Sequence, residues 1–182
     1  MKATGIVRRI DDLGRIVIPK EIRRTLRIRE TDPLEIFTDK EGEIILKKYS
    51  PIGELGLFAK DYAESLAQTT GHTVCVSDRD QIIAASGPDK KDMMKKSISK
   101  KLENLLEERK SLLAASSDRE FIPIAEDLDE EYKAQALSPI ICEGDVLGAV
   151  IITTKESKTR FTETEKTLAI AAADFLGRQM ES

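Results

Sequence analysis

The first fifty residues of this chain are too few and too rich in strand signals to fold as one isolated copy. Short runs rich in β-branched or alternating apolar residues predict four strands at Thr4–Ile10, Arg15–Ile18, Leu34–Thr38 and Glu43–Lys47. A short helix follows the second run, with Pro19 at its first position. The segment contains no cysteine that could cross-link it. Since so small a β-rich unit sits near the lower limit of autonomous folding, the sequence favours an obligate dimer.

The dimer is predicted to form by interleaved hairpins, because two copies would then share one core and pair their exposed strand edges. The alternative is that the segment packs against the rest of its own chain. Ser50-Pro51-Ile52-Gly53 punctuates the sequence and disfavours that arrangement. We therefore expect a domain at 1–50, a linker at 51–53 and a second domain at 54–182.

Charge is distributed unevenly along the chain. Residues 1–29 hold nine basic and three acidic side chains, a net of +6, whereas the whole chain carries −4. An anionic partner is therefore expected for the first segment only. Seven of the nine basic residues are arginine, whose planar fork suits phosphate oxygens and guanine edges.

The arginines cluster around the turn Asp-Asp-Leu-Gly at 11–14 and on the short helix after it. A charge run is more often a solvated face than a binding site, but few acidic residues accompany this one. No helix-turn-helix, zinc-finger or basic-zipper pattern is present, so a β-based reader of double-stranded DNA is predicted. The candidate DNA-binding residues are Arg8, Arg9, Arg15, Lys20, Arg23 and Arg24.

The remaining residues predict an α+β domain with an antiparallel sheet and flanking helices. The expected order is helix, two strands, helix, three strands, helix. The expected helices span about 54–69, 92–115 and a last segment that opens with a capping box at Thr162 and Glu165; the expected strands lie at 73–77, 81–86, 121–125, 137–142 and 146–154. The acidic stretch 126–131 is interpreted as a solvated loop or the start of a helix.

Nothing in the sequence predicts an enzyme. Nucleotide-binding glycine loops, zinc-protease and nucleophile-elbow motifs are absent, and the single histidine, His72, excludes a histidine-rich metal site. Cys75 and Cys142 are far apart and are interpreted as unpaired thiols of a cytoplasmic protein. With no long apolar run, no membrane partner is expected, and no cofactor or metal is predicted.

The motif TGIVRRIDDLGRIVIPKEIRRTLRI, followed by DPLEIF and GEIILKKY, resembles the AbrB family of bacterial transition-state regulators. The resemblance implies that two chains interlock as a swapped-hairpin barrel that binds DNA. It also implies that Arg8, Arg15, Arg23 and Arg24, which match the DNA-contacting arginines of the family, contact DNA here. The second domain is similar in its element order to GAF domains, although their cyclic-nucleotide signature N-K-F-D-E is absent.

This combination implies a transcription regulator, an activator or a repressor, of sporulation genes. The alternative is an antitoxin, since the same N-terminal module dimerises antitoxins whose tails wrap a toxin; such tails should be disordered, whereas residues 54–182 carry periodic apolar stripes. The second domain is expected to modulate DNA binding through an unidentified small-molecule effector or by joining two dimers into a homotetramer. An effector pocket is predicted beside the sheet, next to the long helix or residues 126–131.

Overall fold

The computed structural model describes residues 5–54, 56–128 and 131–181, with the side chain of residue 54 left out. The chain divides between Tyr49 and Ser50 into two compact units, called here the N-terminal unit and the C-terminal unit. Among the described residues, no helix is long and apolar enough to cross a membrane.

The N-terminal unit contains one short helix and one hairpin. Helix α1 spans Lys20–Thr25, and strands β1 (Leu34–Thr38) and β2 (Ile44–Lys48) pair in antiparallel register. Pro19 is the residue before the helix rather than its first residue. The predicted hairpin is therefore present, with its second strand shifted by one residue.

The two other predicted strands, at 4–10 and 15–18, are not formed by the single chain. Residue 4 lies outside the described part, and residues 5–10 and 15–18 belong to no helix or strand in the single chain. Only Pro19 is buried among the described residues up to Tyr49. A β-strand forms only when its backbone N–H and C=O groups bond to a neighbouring strand. A segment whose sequence favours extended structure therefore becomes a strand only when a second strand is present to pair with it.

The C-terminal unit is a five-stranded antiparallel sheet with helices on its faces. Its helices are α2 (Pro51–Glu54), α3 (Gly56–Thr70), α4 (Lys90–Met93), α5 (Lys100–Glu107) and α6 (Glu163–Gln179). Its strands are β3 (Thr73–Asp78), β4 (Ile82–Ser86), β5 (Leu112–Ala115), β6 (Ala134–Cys142) and β7 (Asp145–Thr154), in the order β4-β3-β7-β6-β5.

Two apolar clusters lie in this unit, one including the buried alanines of α3 and α6, the other including residues of α4 and α5. The small side chains Ala59, Ala63 and Ala67 let α3 pack closely on the other residues of the first cluster. Helix α6 contributes Ala172 and Leu176 to the same cluster. Side chains of neighbouring positions on β3 and β7 enter opposite clusters, as the period of two in a strand requires. The α+β architecture with an antiparallel sheet is as predicted.

The long helix expected at 92–115 is wrong. The segment instead forms α4, an extended stretch in which Ile98 bridges to Ala125, then α5, then the edge strand β5. Ser99 ends the extended stretch and caps α5 by accepting a hydrogen bond of 3.0 Å from the backbone N–H of Leu102. Ile98 and Leu102 are buried as the periodicity required, but burial at helical spacing did not require one continuous helix.

The strand expected at 121–125 is also absent apart from the Ala125 bridge, and the edge position is taken by β5, which pairs with β6. The segment is held by a side chain instead of a ladder. Gln135, fully buried on β6, donates to the backbone oxygen of Ile122 at 3.0 Å and accepts from its N–H at 2.8 Å.

Residues 51–53, expected to form a linker, lie within helix α2. Ile52 is fully buried in the apolar cluster beneath α3 and α6. The hydroxyl of Ser50 bonds to a carboxylate oxygen of Asp78 at 3.1 Å. The C-terminal unit therefore begins with an anchored turn.

Candidate nucleic-acid interface

The turn between the two extended segments is organised by one carboxylate. Asp11 Oδ1 accepts hydrogen bonds from the backbone N–H groups of Leu13 at 3.0 Å and Arg15 at 2.8 Å, while Oδ2 accepts from Arg15 Nε at 2.8 Å. Gly14 takes a φ of +75°, which glycine adopts without strain. The bonds from the Arg15 backbone and side chain hold the pKa of Asp11 below its ordinary value, so this carboxylate stays ionised at neutral pH.

Three candidate arginines flank this turn. Arg8 and Arg9 precede it and Arg15 follows it, and all three side chains are exposed. Arg8 Nη1 donates only to the neighbouring carbonyl of Val7, at 3.3 Å. The guanidinium groups of Arg8 and Arg9 are therefore exposed to an anionic partner, whereas that of Arg15 is engaged through its Nε by Asp11.

The other three candidates lie on α1. Lys20 and Arg24 are exposed, and Arg23 is half-buried, with an Nε that has no hydrogen-bond partner among the described residues. A buried donor without a partner costs free energy, and a second protein chain or a ligand oxygen could satisfy it. Arginine has five such donors in a fixed fork, which suits it to that task.

The end of α1 is fixed by a contact that the sequence did not indicate. Arg27 takes a φ of +51°, and the N–H of Ile28 bonds back to the carbonyl of Arg23 at 2.8 Å, which closes the helix. Lys48 Nζ on β2 then donates to the carbonyl of Arg27 at 2.8 Å and lies 3.4 Å from Asp32. Lys48 thus ties the arginine-bearing helix to the hairpin, although no local motif marked it.

The N-terminal unit exposes an apolar set that a partner must cover. Its members are large hydrophobic side chains at least about a third exposed: Ile6, Val7, Ile10, Leu13, Ile16, Val17, Leu26, Ile36, Phe37, Ile44 and Leu46. With this many large apolar side chains exposed and only Pro19 buried among its described residues, the unit has no core of its own. The unit therefore carries its basic residues on a scaffold that is incomplete as a single copy.

A cavity of about 450 Å³ opens in the C-terminal unit near residues 116–135. Apolar side chains such as Phe121 and Ile124 and the polar groups of Tyr132 and Gln135 contribute to its lining. The hydroxyl of Tyr132 is buried without a hydrogen-bond partner among the described residues, and burial raises its pKa, so the phenol remains protonated. The cavity lies beside residues 126–131, where a pocket was predicted, whereas no sequence signal marked Tyr132.

No group of three or more histidine, cysteine or carboxylate side chains suited to a metal ion occurs among the described residues. Cys75 is fully buried, and burial raises the pKa of its thiol.

Family models match both parts of the chain. Residues 54–181 match the family described as "Stage V sporulation protein T C-terminal, transcription factor", and residues 7–54 match "Antidote-toxin recognition MazE, bacterial antitoxin". The antitoxin model thus covers only the N-terminal module, whereas the transcription-factor model covers the larger part of the chain. The antitoxin alternative is accordingly less supported.

Relatives give the same division. Stage V sporulation protein T of Bacillus subtilis (strain 168) is 55% identical over 181 residues, covering 100% of this chain and 99% of that protein. Transition state regulatory protein AbrB of the same organism is 67% identical over 51 residues, covering 28% of this chain and 52% of that protein.

Solved structures show that the C-terminal unit has a GAF fold. The GAF domain of a phosphoenolpyruvate-protein phosphotransferase from Coxiella burnetii aligns with a TM-score of 0.53 at 21% identity, covering 69% of this chain and 82% of that one. The GAF domain of Thermosynechococcus elongatus PixJ aligns with a TM-score of 0.55 at 13% identity, covering 74% and 89%. With a DNA-binding AbrB-like module before this fold, and a transcription-factor relative matched from end to end, the chain belongs to the stage V sporulation protein T family of transcription factors.

Proposed function

We propose that two copies of the N-terminal unit interlock, and that the resulting dimer grips double-stranded DNA with its arginines. The observation that carries this proposal is the combination of a coreless unit with a cluster of exposed arginines. Residues 5–10 and 15–18 become strands by pairing with the second copy, and the apolar set forms the shared core. Each dimer then presents Arg8, Arg9, Arg15, Lys20, Arg23 and Arg24 twice.

The DNA contact is mainly electrostatic, so the dependence of the DNA affinity on salt concentration measures it. If Arg8, Arg15, Arg23 and Arg24 of two chains engage DNA and about six of the eight side chains neutralise phosphates, log K against log salt should have a slope near −5. Fluorescence anisotropy of a labelled duplex between about 0.05 and 0.3 M salt tests this. A slope shallower than about −2 contradicts the proposal.

Alanine variants then separate the roles of the individual basic residues. Removal of a phosphate contact, which we expect for Arg8, should weaken binding to all duplexes alike and make the salt slope shallower by about one per phosphate. Removal of a base-reading arginine should cost about 1–3 kcal/mol at one operator position only. Competition with single-base variants of the duplex distinguishes the two classes.

The C-terminal unit modulates DNA binding without performing it. Residues 51–182 hold 17 basic and 24 acidic side chains, a net of −7, which disfavours approach to phosphates at long range. The cavity beside Tyr132 is the proposed site of a small-molecule effector, whose identity mass spectrometry of the native protein exposed to cell extract can reveal. Tyr132→Phe should weaken binding of an effector that accepts the phenol hydrogen bond.

Two DNA-binding dimers are joined into a homotetramer through an apolar face of α3 and α6. Phe58 and Tyr62 on α3 stack on Phe175 of α6, with ring centroids 5.7 and 5.1 Å apart. Phe58 and Phe175 remain partly exposed at this contact, and Leu57 and Ile170 are exposed elsewhere on the same two helices. A second copy of the same face would bury Phe58 and Phe175, and the linked dimers would bind paired sites with a raised effective concentration.

Deletion of residues 54–182 tests this division of labour. Single-site binding by the N-terminal dimer should remain nearly intact, while binding to paired sites should weaken. If the truncated protein stays folded and dimeric but loses single-site binding, the C-terminal unit touches DNA itself. In the cytoplasm of an endospore former, we infer that the assembled protein controls sporulation genes, as the name of its full-length relative indicates.

A further inference from the structure

One candidate DNA-binding arginine of the N-terminal unit, Arg15, is paired with an acid, which opposes simple phosphate binding. Asp11 and Arg15 form an ion pair of 2.8 Å, with the Arg15 side chain 69% exposed and that of Asp11 36% exposed. An exposed pair of this kind contributes little to stability. A negative charge beside DNA also repels phosphates. The pair therefore requires an explanation other than affinity or stability.

The two oxygens of Asp11 perform separate tasks. Oδ1 receives both backbone N–H groups, from Leu13 and Arg15, and so closes the turn. Oδ2 receives Arg15 Nε at 2.8 Å and so fixes the direction of the guanidinium. With Nε occupied, the two terminal nitrogens of Arg15 remain free to donate as a parallel pair.

A parallel pair of N–H donors matches the O6 and N7 acceptors of guanine in the major groove. Holding the fork in advance lowers the rotamer entropy lost on contact, which improves discrimination between bases. Arg8 differs, since within the described residues its guanidinium donates only to the adjacent carbonyl of Val7. An unheld arginine of this kind can follow phosphate oxygens on any sequence.

We propose that Asp11 is a positioning residue that orients Arg15 to read a guanine edge, which makes Arg15 a specificity-determining arginine of the dimer. The inference rests on the proposed DNA contact of Arg15. All the contacts of Asp11 named above lie within four residues, so docking of a second copy can leave them in place.

The chain offers an isosteric test with a matched control. Asp11→Asn keeps Oδ1 for the two backbone bonds and replaces Oδ2 with an NH₂ group, which cannot accept from Arg15 Nε. Asp12→Asn removes the same charge one residue away, where the exposed Asp12 side chain makes no hydrogen bond or ion pair with any described residue. Circular dichroism and sedimentation verify that both full-length variants remain folded and assembled.

The probes are a duplex selected by the wild-type full-length protein from a random-sequence library and a scrambled duplex of the same composition. Both variants should bind the scrambled duplex slightly more tightly, because a negative charge is lost. Asp11→Asn should lower the ratio of selected to scrambled affinity about tenfold, whereas Asp12→Asn should leave the ratio unchanged. Repeating the selection with Asp11→Asn should lose a guanine preference at one position of each half-site.

Arg15→Ala should lower the same ratio, and the double variant with Asp11→Asn should lower it no further. A ratio that is equal in Asp11→Asn and Asp12→Asn, while Arg15→Ala lowers it, overturns the positioning role but leaves the DNA contact standing. A further loss in the double variant shows that Asp11 acts apart from Arg15 and also overturns it. If Arg15→Ala leaves both affinities unchanged, the DNA contact of Arg15 fails, and the inference fails with it.

Discussion

The two units of this chain differ in whether a single copy buries its apolar side chains. In the C-terminal unit, both apolar clusters are closed by elements of the same chain, with side chains such as Ile151 and Leu176 fully buried. In the N-terminal unit, Pro19 is the only buried residue among those described, and comparable side chains such as Val7 and Val17 are more than two-thirds exposed. One unit completes its core alone, whereas the other requires a second copy.

The difference links folding to function in one unit only. If the N-terminal core forms between two chains, its stability depends on protein concentration, and so does the existence of the arginine surface. The C-terminal unit has its own core, so its folding does not depend on that association, and the proposed effector binding and joining of dimers can draw on a unit that is already folded. DNA binding and its modulation therefore rest on two different kinds of stability.

The largest difference between the two units is expected from a substitution at an exposed apolar position of the N-terminal unit. Ile36 on β1 is 67% exposed in the single chain, and a substitution at a site that remained exposed would change stability by only about 0.5 kcal/mol. If a second copy covers Ile36, Ile36→Asp buries a charge in the shared core and should abolish both dimerisation and folding of residues 1–50. Sedimentation and circular dichroism of that fragment measure the effect.

Lys40→Asp is the matched control, since it places the same residue in the exposed hairpin turn. It should leave the fragment folded and dimeric. A folded, monomeric wild-type fragment at micromolar concentration, or an Ile36→Asp fragment that dimerises normally, would show that the N-terminal unit does not need a partner.

The second prediction tests how closely the C-terminal unit closes its own core. A Cβ on Gly177 of α6 would lie 2.2 Å from the carbonyl oxygen of Ile141 on β6, so helix or strand must shift. Gly177→Ala should therefore destabilise the unit by about 2–3 kcal/mol, despite the better helix propensity of alanine. Urea unfolding of the full chain, followed by a signal from the C-terminal unit, measures the change.

Gly56→Ala provides the opposite case on α3, because a Cβ at Gly56 has nothing within 4 Å. It should be neutral or stabilising by up to about 1 kcal/mol. Equal effects of the two substitutions would mean that α6 does not pack on β6 as closely as the backbone distance indicates.

The sequence predicted the N-terminal unit only as far as local signals reach. The turn at 11–14 and the hairpin are specified by residues close in sequence, and both are present. The patterns at 4–10 and 15–18 predict that these segments favour extended structure, but they do not predict which strand pairs with each segment. The ion pair of Asp11 with Arg15 was not predicted, because two residues on either side of a turn meet only when its geometry is fixed.

In the C-terminal unit, the fold class and the sheet hairpins were predictable, whereas the segment 92–115 was not. Apolar spacing at Ile98 and Leu102 marked both residues for burial, yet it could not reveal the break at Ser99 that separates extended chain from helix. Capping by Ser99 is a local alternative that competes with a continuous helix. Tyr132 was missed because its isolated hydroxyl becomes visible only when the cavity around it has formed.

The smallest effect concerns a feature that the sequence did specify, the capping box of α6. Thr162 Oγ1 accepts from the N–H of Thr164 at 3.2 Å, and Glu165 accepts from the backbone N–H of Thr162 at 2.6 Å. Thr162→Ala should destabilise the C-terminal unit by about 1 kcal/mol, whereas Thr162→Ser, which keeps the hydroxyl, should be close to neutral. Thermal unfolding at fixed pH measures both.

The acid limb of the stability curve sharpens the same prediction. Burial raises the pKa of Glu165, but the hydrogen bonds from Thr162 and from the backbone of Glu165 itself, together with the nearby His72, outweigh burial and leave the net pKa below the ordinary value. A depressed pKa stabilises the folded state above the unfolded-state value of about 4.3, and this contribution is lost as the pH falls through the folded-state value. Glu165→Gln should therefore flatten the loss of stability between about pH 5 and pH 3. Because the cap belongs to the C-terminal unit, the substitution should not change how the N-terminal dimer dissociates over that pH range. A Glu165→Gln chain that loses stability as steeply as wild type would mean that the carboxylate is not held by its cap.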